Sequence, residues 1–383
     1  MAGRLVIISH TAHYHYKDQF FGWGPTIREI NNVAEEFDVV IHFAPLHKLP
    51  MSGGNLPYNR SNIKYIRLLE AGGSGIFNKL KILFFAPANA FIILKIIRPS
   101  DWIQLRAPSN IALIMLPIFS ILRFFNIWVK YAGNWNEKSP AFTYKVQRWW
   151  LRNNVQGSFV TINGKWEKNG NHILAFENPC INDDELKRAS QIVLQKQYSL
   201  PLNICFIGQL DENKGIINLI EAFKYLNGDG IHYINKVIVV GDGPLMNKLI
   251  EMIKGLNITV ELLGYLNHDK IFKVYKDAHI NILPSKSEGF PKVIAEGAAY
   301  GCIPVVTNMS SLDQYIKNNE NGILLPDNSS ESIYKALKQI VSITTEDRKT
   351  MAINATKMAE NFTYEHYVKR IFADIINAPK KEN

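Results

Sequence analysis

Short apolar runs that alternate with helix-length segments constrain the fold of this chain more than any other feature. RLVIIS (Arg4–Ser9) and FDVVIHFAP (Phe37–Pro45) are nearly continuous apolar runs, typical of strands buried on both faces of a sheet. Between them, Ile27, Ile30 and Val33 recur at helical spacing, which predicts a helix. Three more strand-like runs follow in the first half: DWIQLRAP, NIWVKYAG and GSFVTIN. Strands that alternate with helices predict right-handed crossovers and a parallel sheet.

The same alternation restarts near residue 203, and 383 residues are too many for one ordinary core. The second half contains five strand-like runs: NICFIGQL, NKVIVVGDGP, ITVELLGYL, AHINILPS and CIPVVT. We therefore expect an α/β protein with two doubly wound, Rossmann-like parallel-sheet domains and ligands at the carboxyl ends of the strands. The segment ENPCINDDELKRASQIVLQKQYSLP is the best candidate for a linker between the two halves.

Composition narrows the classes of protein and partner. A hydrophobic content of 47% and a charged content of 20% indicate a globular chain, and the net charge of +9 favours anionic partners. The basic residues are dispersed and no nucleic-acid-binding motif is present, so we expect no nucleic-acid partner. Cys180, Cys205 and Cys302 give neither a disulfide framework nor a zinc spacing, and MAGRLVIISH lacks a signal-peptide layout. These features predict a cytoplasmic location.

Two apolar segments raise the question of membrane contact. Ile82–Ile97 and Ile111–Leu122 are both interrupted by proline or charge, and neither provides about 20 uninterrupted apolar residues. Buried crossover helices and a monotopic surface contact both remain open for these segments.

KVQRWWLR is a further candidate for membrane contact. Lys145, Arg148 and Arg152 recur at spacings of three and four, beside Trp149 and Trp150. On a helix these three basic residues would form one positive stripe, which predicts peripheral contact with the anionic inner face of the cell membrane.

The segment SEGFPKVIAEGAAYGCIPVV carries two glutamates around a Gly-Phe-Pro turn. Pro291 and Gly301 predict a short helix over Lys292–Tyr300, which places Glu296 inside the helix and Glu288 before it. A helix N-terminus exposes unpaired N–H groups that favour phosphate, and a carboxylate has two oxygens to accept hydroxyl groups. The alternative is that both glutamates are solvated charges at the helix ends.

An ordered series of motifs in the second half resembles glycosyltransferase family 4, whose members are retaining sugar-nucleotide transferases with the GT-B fold. The resembling residues are Gly208, Lys214, Gly215, Gly241, Asp242, Gly243, Pro244, Gly264, Pro284, Ser285, Glu288, Gly289, Phe290, Glu296, Gly301, Pro304 and Val305. The first half matches more loosely, through its alternation of strands and helices and the Gly22–Pro25 loop. The resemblance implies two domains that face a central cleft: an acceptor-binding domain over 1–180 and a sugar-nucleotide-binding domain over 181–362. A C-terminal helix over 363–378 would cross back to the first domain.

The resemblance also implies a set of site residues. Glu296 would bind the ribose diol, Glu288 the donor sugar, and Lys214, in the loop GQLDENKG, the diphosphate. Glu288 and Lys214 are the implied catalytic residues, and the base of the nucleotide would lie near Gly264–Leu266. The implied donor-binding residues are Gly24, Gly208, Gln209, Lys214, Gly243, Leu266, Glu288, Gly289, Phe290, Pro291 and Glu296. The family implies neither a metal nor a cofactor.

Two positions depart from the family pattern. Gln209 stands where a basic residue is usual, and Lys286 and Lys292 are the nearby candidates to replace its charge. Gly133 and Asn134 stand where many relatives carry a histidine. The first loop offers three histidines instead, His10, His13 and His15.

The leading hypothesis is a retaining glycosyltransferase, of the hexosyltransferase type, that builds a cell-surface polysaccharide or a lipid-linked glycan. Its donor would be a nucleotide-diphosphate sugar, and its acceptor a glycan or a lipid-linked glycan. One alternative is another GT-B enzyme such as a nucleotide-sugar epimerase; a phosphorylase is disfavoured because no lysine-anchored cofactor segment is evident. The other is a nucleotide-sugar-binding or scaffold protein without catalysis, which Gln209 and the missing histidine suggest.

Overall fold

The structure is a computed structural model, which describes residues 3–48, 51, 53–70, 76–123, 125–167, 170–226 and 231–378. The chain divides into two compact units. Unit 1 comprises Met1–Glu177 and Tyr367–Asn383, and unit 2 comprises Asn178–His366.

Unit 1 is built on a parallel sheet of seven strands in its described part, in the order β10-β9-β8-β7-β1-β4-β6. A small antiparallel sheet pairs β2 with β3 and β3 with β5. The strands are β1 (Arg4–Ile8), β2 (His13–Tyr16), β3 (Gln19–Trp23), β4 (Val39–Pro45), β5 (Asn55–Pro57), β6 (Ile63–Leu68), β7 (Trp102–Ala107), β8 (Asn126–Tyr131), β9 (Phe159–Ile162) and β10 (Ile173–Ala175). The helices are α1 (Gly24–Val33), α2 (Ile76–Ile96), α3 (Asn110–Ile121) and α4 (Phe142–Arg152).

The core of unit 1 lies on both faces of its large sheet. Successive side chains of a strand point to opposite faces, and β1 shows the result directly. Val6 and Ile8 belong to one buried cluster, with apolar residues of α2 and α3, whereas Leu5 and Ile7 belong to a second cluster, with residues of α1. The apolar run of β1 was therefore correctly interpreted as a strand buried on both faces.

The small sheet of unit 1 was not predicted, because β2 and β3 lie in HTAHYHYKDQFFGWG, the predicted first loop that contains His10, His13 and His15. The turn between β2 and β3 consists of Lys17 and Asp18, both at positive φ (47° and 59°). Two successive residues at positive φ match the type I′ turn that connects the strands of a hairpin. Asn-Gly or Asp-Gly is the usual sequence of that turn. The hairpin therefore lacks the usual sequence signal for its turn.

Unit 2 is built on a parallel sheet of six strands in its described part, in the order β13-β12-β11-β14-β15-β16. The strands are β11 (Leu202–Ile207), β12 (Ile234–Val240), β13 (Thr259–Leu262), β14 (Ile280–Leu283), β15 (Ile303–Thr307) and β16 (Ile323–Leu325). The helices are α5 (Asp183–Gln195), α6 (Ile216–Leu226), α7 (Met246–Ile253), α8 (His268–Asp277), α9 (Lys292–Ala299), α10 (Leu312–Tyr315), α11 (Ser330–Ser342) and α12 (Thr345–Ala359). The strand order reverses between β11 and β14, which makes the carboxyl ends of these two strands the expected ligand crevice of unit 2.

The charged segment predicted as a linker is mostly a helix of unit 2. Asn182 caps α5 and forms a reciprocal capping box with Glu185. Leu186, Ala189 and Val193, at spacings of three and four, are buried. Their burial against unit 2 explains why so charged a segment is ordered.

The last elements of the described residues are α13 (Tyr364–Ile371) and a π-helical turn over Phe372–Ile376. Tyr367, Ile371 and Ile375 lie on one face of this segment and join the cluster of unit 1 that contains Leu5 and Ile7. Residues 367–383 are accordingly part of unit 1.

The parallel sheets of the two units confirm the predicted α/β fold class. Among the helices of the described residues, none combines the length and the apolar character needed to cross a bilayer.

Candidate functional site

The loops that follow β11 and β14 meet at the point where the strand order of unit 2 reverses. Two hydrogen bonds join the loops: the Lys286 N–H donates to the Asn213 carbonyl (2.7 Å), and Asn213 Nδ2 donates to the Ser287 carbonyl (3.1 Å). Asn213 and Ser287, 74 residues apart in sequence, are thereby held side by side, as expected at a topological switch point.

The turn that presents Lys214 is fixed locally. Asp211 Oδ1 accepts hydrogen bonds from the backbone N–H groups of Asn213 (2.9 Å) and Lys214 (3.0 Å). Gly215 follows at φ +71°, and a Cβ atom there would collide with the carbonyl oxygen of Pro284. Only glycine combines this backbone conformation with so close an approach.

Lys214 and Glu288 form an ion pair between Nζ and Oε1. Ser285 Oγ donates a second hydrogen bond to the same carboxylate oxygen (3.2 Å). The side chains of Lys214 and Glu288 are 22% and 16% exposed, so a ligand at the mouth of the crevice can reach both. The structure thus brings the two predicted catalytic residues together.

Helix α9 begins at Lys292, as predicted, and ends at Ala299, one residue before the predicted end. Pro291 is the N-cap residue and Gly301 has φ +70°. The side chain of Phe290 is buried and stacks on Phe362 with 4.4 Å between ring centroids. At Phe290, the backbone is therefore the part that a ligand can contact.

Glu296 is 5% exposed, deep in the helix that follows the crevice. Tyr275 Oη lies 3.3 Å from its Oε2, and His268 Nε2 lies 3.9 Å from its Oε1. Burial and the Glu296 charge raise the pKa of Tyr275 well above its ordinary value, so the phenol stays protonated, and its one proton lies between the Val293 carbonyl (3.0 Å) and Glu296 Oε2. Glu296 is a held carboxylate and not a solvated charge at a helix end, which excludes the alternative interpretation for this residue.

Sequence reasoning missed Tyr275 and His268. Both lie on α8, whose N-cap is Asn267, and only the fold places this helix beside α9. Gly297 permits close packing of α9, because a Cβ atom there would collide with the side chain of Asn281 on β14. The one sequence signal for α8 was Asn267 before a helical run. It predicts that a helix begins there but does not predict that this helix lies beside α9.

The glycines at the ends of β11 and β12 hold the neighbouring loops close together. Gly241 has φ +143°, and a Cβ atom there would collide with the carbonyl oxygen of Gly208. A Cβ atom on Gly243 would lie 2.5 Å from the carbonyl oxygen of Leu210. Gln209 lies exposed beside them, and Leu266 packs against the core of unit 2.

The remaining predicted residues are Gly24 in unit 1 and Gly289 and Lys286 in unit 2. Gly24 is the first residue of α1, and its N–H donates to the Gly54 carbonyl (2.8 Å). Gly289 lies half-buried between Glu288 and Phe290, and Lys286 is exposed. Within the described ranges, no group of three or more His, Cys, Asp and Glu side chains could hold a metal ion.

The predicted positive stripe on α4 does not form. Arg148 is buried, and its guanidinium donates to the carbonyl groups of Asn134 (3.3 Å), Trp135 (2.9 Å) and Glu137 (3.1 Å). Arg152 also donates to the Trp135 carbonyl (3.1 Å). These arginines hold the loop after β8, and of the three basic residues Lys145 and Arg152 are exposed whereas Arg148 is buried.

Comparison with known proteins matches part of the chain to a family of described proteins. The family model "Glycosyl transferases group 1" matches residues 192–358. A Campylobacter jejuni protein, GalNAc-alpha-(1->4)-GalNAc-alpha-(1->3)-diNAcBac-PP-undecaprenol alpha-1,4-N-acetyl-D-galactosaminyltransferase, is 26% identical over 205 residues (52% of this chain and 54% of the relative). An Escherichia coli protein, UDP-Gal:alpha-D-GlcNAc-diphosphoundecaprenol alpha-1,3-galactosyltransferase, is 30% identical over 165 residues (42% and 41%). The chain spans about half the length of the curated relatives it matches.

Solved structures match nearly the whole chain in fold. Alpha,alpha-trehalose 6-phosphate synthase from Burkholderia multivorans has a TM-score of 0.72 at 9% identity, covering 98% of this chain and 97% of that one. Anabaena HepE in complex with UDP has a TM-score of 0.67 at 14% identity, covering 98% and 100%. Residues 192–358 thus match the model of the glycosyl transferases group 1 family, and the chain shares the GT-B fold of these solved structures.

Proposed function

We propose that the chain is a retaining glycosyltransferase that moves a sugar from a nucleotide-diphosphate sugar to a glycan or lipid-linked acceptor in cell-surface polysaccharide synthesis. The observation that carries this proposal is the Lys214–Glu288 pair beside the N-terminus of α9, with Glu296 held in the same helix. The names of the C. jejuni and E. coli relatives specify undecaprenol-linked acceptors, which supports a lipid-linked acceptor here.

The crevice offers a complementary group for each part of the donor. The N-terminus of α9 carries a partial positive charge, and together with Lys214 it suits a diphosphate. Glu296 presents two acceptor oxygens to the ribose diol, and Tyr275 orients it. Glu288 accepts hydrogen bonds from hydroxyl groups of the donor sugar.

The reaction follows from these contacts. The bond between the anomeric carbon and the diphosphate oxygen breaks, and Lys214 stabilises the negative charge that develops on that oxygen. The acceptor oxygen attacks the anomeric carbon from the same face, and its proton passes to the departing phosphate. Glu288 accepts hydrogen bonds from the hydroxyl groups of the sugar while negative charge develops on the diphosphate oxygen. Because Lys214 supplies the positive charge, we expect transfer to continue after a chelator removes divalent metals.

One experiment tests the activity itself. A thermal-shift screen over UDP-, GDP- and ADP-sugars should identify the donor, after which transfer and hydrolysis are measured and the anomeric configuration of the product is assigned by NMR. Release of the nucleoside diphosphate with retention supports the proposal, whereas an inverted product contradicts the retaining mechanism.

The same assay distinguishes the alternatives. Gln209, exposed where the family pattern has a basic residue, favours a second candidate function as a binder without catalysis. Such a binder would shift in the thermal screen and release no diphosphate. An epimerase would convert one nucleotide sugar into another without an acceptor.

Glu296→Ala tests the assignment of the ribose site. We expect calorimetry to show donor affinity at least about tenfold weaker, because two buried hydrogen bonds to a charged group are lost. Glu331→Ala, which removes an exposed carboxylate on α11, is the matched control and should bind normally. Normal donor affinity in a folded Glu296→Ala protein would place the nucleotide elsewhere.

The unit 1 surface gives one observation that favours membrane contact. Phe142 and Trp149 of α4 are 78% and 58% exposed, and Lys145 of the same helix is exposed. We propose a cytoplasmic protein that touches the anionic face of the membrane through these residues. Sedimentation with anionic liposomes at low salt should fall in a Lys145→Glu, Trp149→Ser variant. A wild-type protein that stays in the supernatant would contradict this contact.

A further inference from the structure

Both oxygens of the Glu296 carboxylate have a neighbour on the same helix, α8. Tyr275 Oη lies 3.3 Å from Oε2, and His268 Nε2 lies 3.9 Å from Oε1. His268 and Tyr275 are seven residues apart, which is about two turns, so their side chains lie on one face of α8. A single rigid element therefore approaches the carboxylate at both of its oxygens.

Glu296 is the better acceptor for the one proton of the Tyr275 hydroxyl. The competing acceptor is the Val293 carbonyl, at 3.0 Å. That carbonyl already accepts a hydrogen bond from Asn281 Nδ2 (2.7 Å) and, within α9, one from the N–H of Gly297. A carbonyl oxygen has two lone pairs, and a charged oxygen forms the stronger hydrogen bond. Tyr275 therefore donates to Glu296.

The His268 imidazole is held with Nε2 towards the other carboxylate oxygen. Its ring packs edge-on against Phe272 (4.2 Å between ring centroids), and Phe272 stacks on Tyr300 (5.2 Å). A carboxylate only accepts, so Glu296 favours the tautomer with the proton on Nε2. The separation of 3.9 Å is about 1 Å longer than a hydrogen bond, and contacts of this kind tighten when a ligand binds.

Contacts at both oxygens fix the plane of the carboxylate. A carboxylate with a partner at one oxygen can still turn about its last bond, whereas partners at both oxygens prevent this rotation. Each oxygen can accept more than one hydrogen bond, so a contact with α8 does not prevent a contact with a hydroxyl group. A carboxylate of fixed direction suits two neighbouring hydroxyl groups, because both hydrogen bonds then form without reorientation.

We propose that His268 and Tyr275 are positioning residues, which hold the Glu296 carboxylate in the orientation that receives the 2′ and 3′ hydroxyl groups of the donor ribose. Nε2–H of His268 closes onto Oε1 when the nucleotide binds. Neither side chain contacts the nucleotide, since both act through Glu296. The inference rests on the proposed function, because it takes the ligand of Glu296 to be a ribose.

The probes are UDP, GDP and ADP, each compared with its 2′,3′-dideoxy form by calorimetry on the full chain. For the nucleotide that binds most tightly, removal of both hydroxyl groups should weaken binding to the wild type about tenfold or more, as for hydrogen bonds to a charged acceptor. The dideoxy form cannot form these hydrogen bonds with Glu296. It therefore reports any general damage to the crevice.

His268→Ala and Tyr275→Phe should each weaken binding of the ribonucleotide about three- to tenfold and leave binding of the dideoxy form unchanged. Tyr275→Phe keeps the buried ring and removes only the hydroxyl group, so it should fold like the wild type. His232→Ala is the matched control, because His232 is an exposed histidine of the same unit. It should bind both forms like the wild type.

Two amide substitutions test which ring nitrogen of His268 acts. The amide nitrogen of glutamine reaches about as far from the backbone as Nε2 of histidine, and that of asparagine only about as far as Nδ1. His268→Gln should therefore retain most of the ribonucleotide affinity. His268→Asn should resemble His268→Ala.

Three results overturn the inference. The wild type binds the ribonucleotide and the dideoxy form equally, or His268→Ala and Tyr275→Phe bind the ribonucleotide like the wild type, or these variants weaken both forms equally, as a structural role would. If the variants behave as expected and no sugar is transferred, the positioning residues stay assigned and the glycosyltransferase is contradicted. Sugar transfer by a wild type whose ribose contacts do not depend on His268 and Tyr275 would do the reverse.

Discussion

Lys214 and Glu288 neutralise each other at the mouth of the unit 2 crevice, although the proposed reaction gives them different partners. Lys214 is assigned to the diphosphate and Glu288 to the sugar. A donor therefore has to separate the two side chains. Partly exposed pairs contribute about 0.2–1 kcal/mol, so the separation costs little compared with the hydrogen bonds that the donor then forms with each side chain.

Glu288→Gln should have opposite effects on two ligands. Lys214 loses its partner, so a nucleoside diphosphate without sugar should bind up to about fivefold more tightly. Transfer from the complete donor should slow by at least about tenfold, because the sugar loses a charged acceptor. Calorimetry and initial rates measure the two effects.

Glu212→Gln is the matched control, since it removes an exposed carboxylate from the same loop as Lys214. If Glu288→Gln weakens both ligands equally, Glu288 supports the loop and does not contact the sugar.

At the scale of elements, local patterns were enough to predict most strands and the turns that carry Lys214 and Glu288, whereas the roles of these two residues were implied only by the family resemblance. β1, β4 and all five predicted strands of the second half form where apolar runs occur. Lys214 and Glu288 lie in loops whose glycines and proline signal the turns. What sequence could not supply was the set of neighbours that the fold creates, such as Tyr275 beside Glu296 across 21 residues.

Helix α4 forms, but the positive stripe predicted on its surface does not. Spacing predicted that its arginines share a face, but the position of that face depends on the loop after β8. Three carbonyl groups of that loop accept hydrogen bonds from Arg148, so the side chain points inward. A guanidinium with several donors satisfies such a loop, whereas an ammonium would bind fewer carbonyls at fixed angles.

Arg148→Ala should destabilise unit 1 by about 2–3 kcal/mol, because partly buried carbonyls lose a charged donor. Lys145→Ala, an exposed change on the same helix, should stay within about 0.5 kcal/mol. Urea unfolding measures both variants. Equal stability of the two would mean that water replaces Arg148 in the loop without loss.

For the whole molecule, the buried histidines of unit 1 predict a dependence of stability on pH. Burial lowers the pKa of His13 to about 4 in the folded chain, below its ordinary value of 6.5. The unfolded chain therefore binds more protons between those two values. The associated stability is complete above pH 6.5 and is lost as the pH falls towards 4, by on the order of 3 kcal/mol for His13 alone.

The distribution of tryptophan lets this loss be followed in one unit. All seven tryptophans lie in residues 1–177, so tryptophan fluorescence reports the unfolding of unit 1. We expect urea midpoints to be constant from about pH 8 to about pH 7 and to fall steadily from about pH 6.5 to about pH 4.5. His13→Gln keeps an amide donor and acceptor but cannot take up the proton. It should therefore be less stable than the wild type at about pH 7 and lose less stability on acidification. An equal loss in both proteins would show that His13 does not carry the acid sensitivity, and would leave His42 and His10, whose pKa values burial also lowers, as the candidate groups.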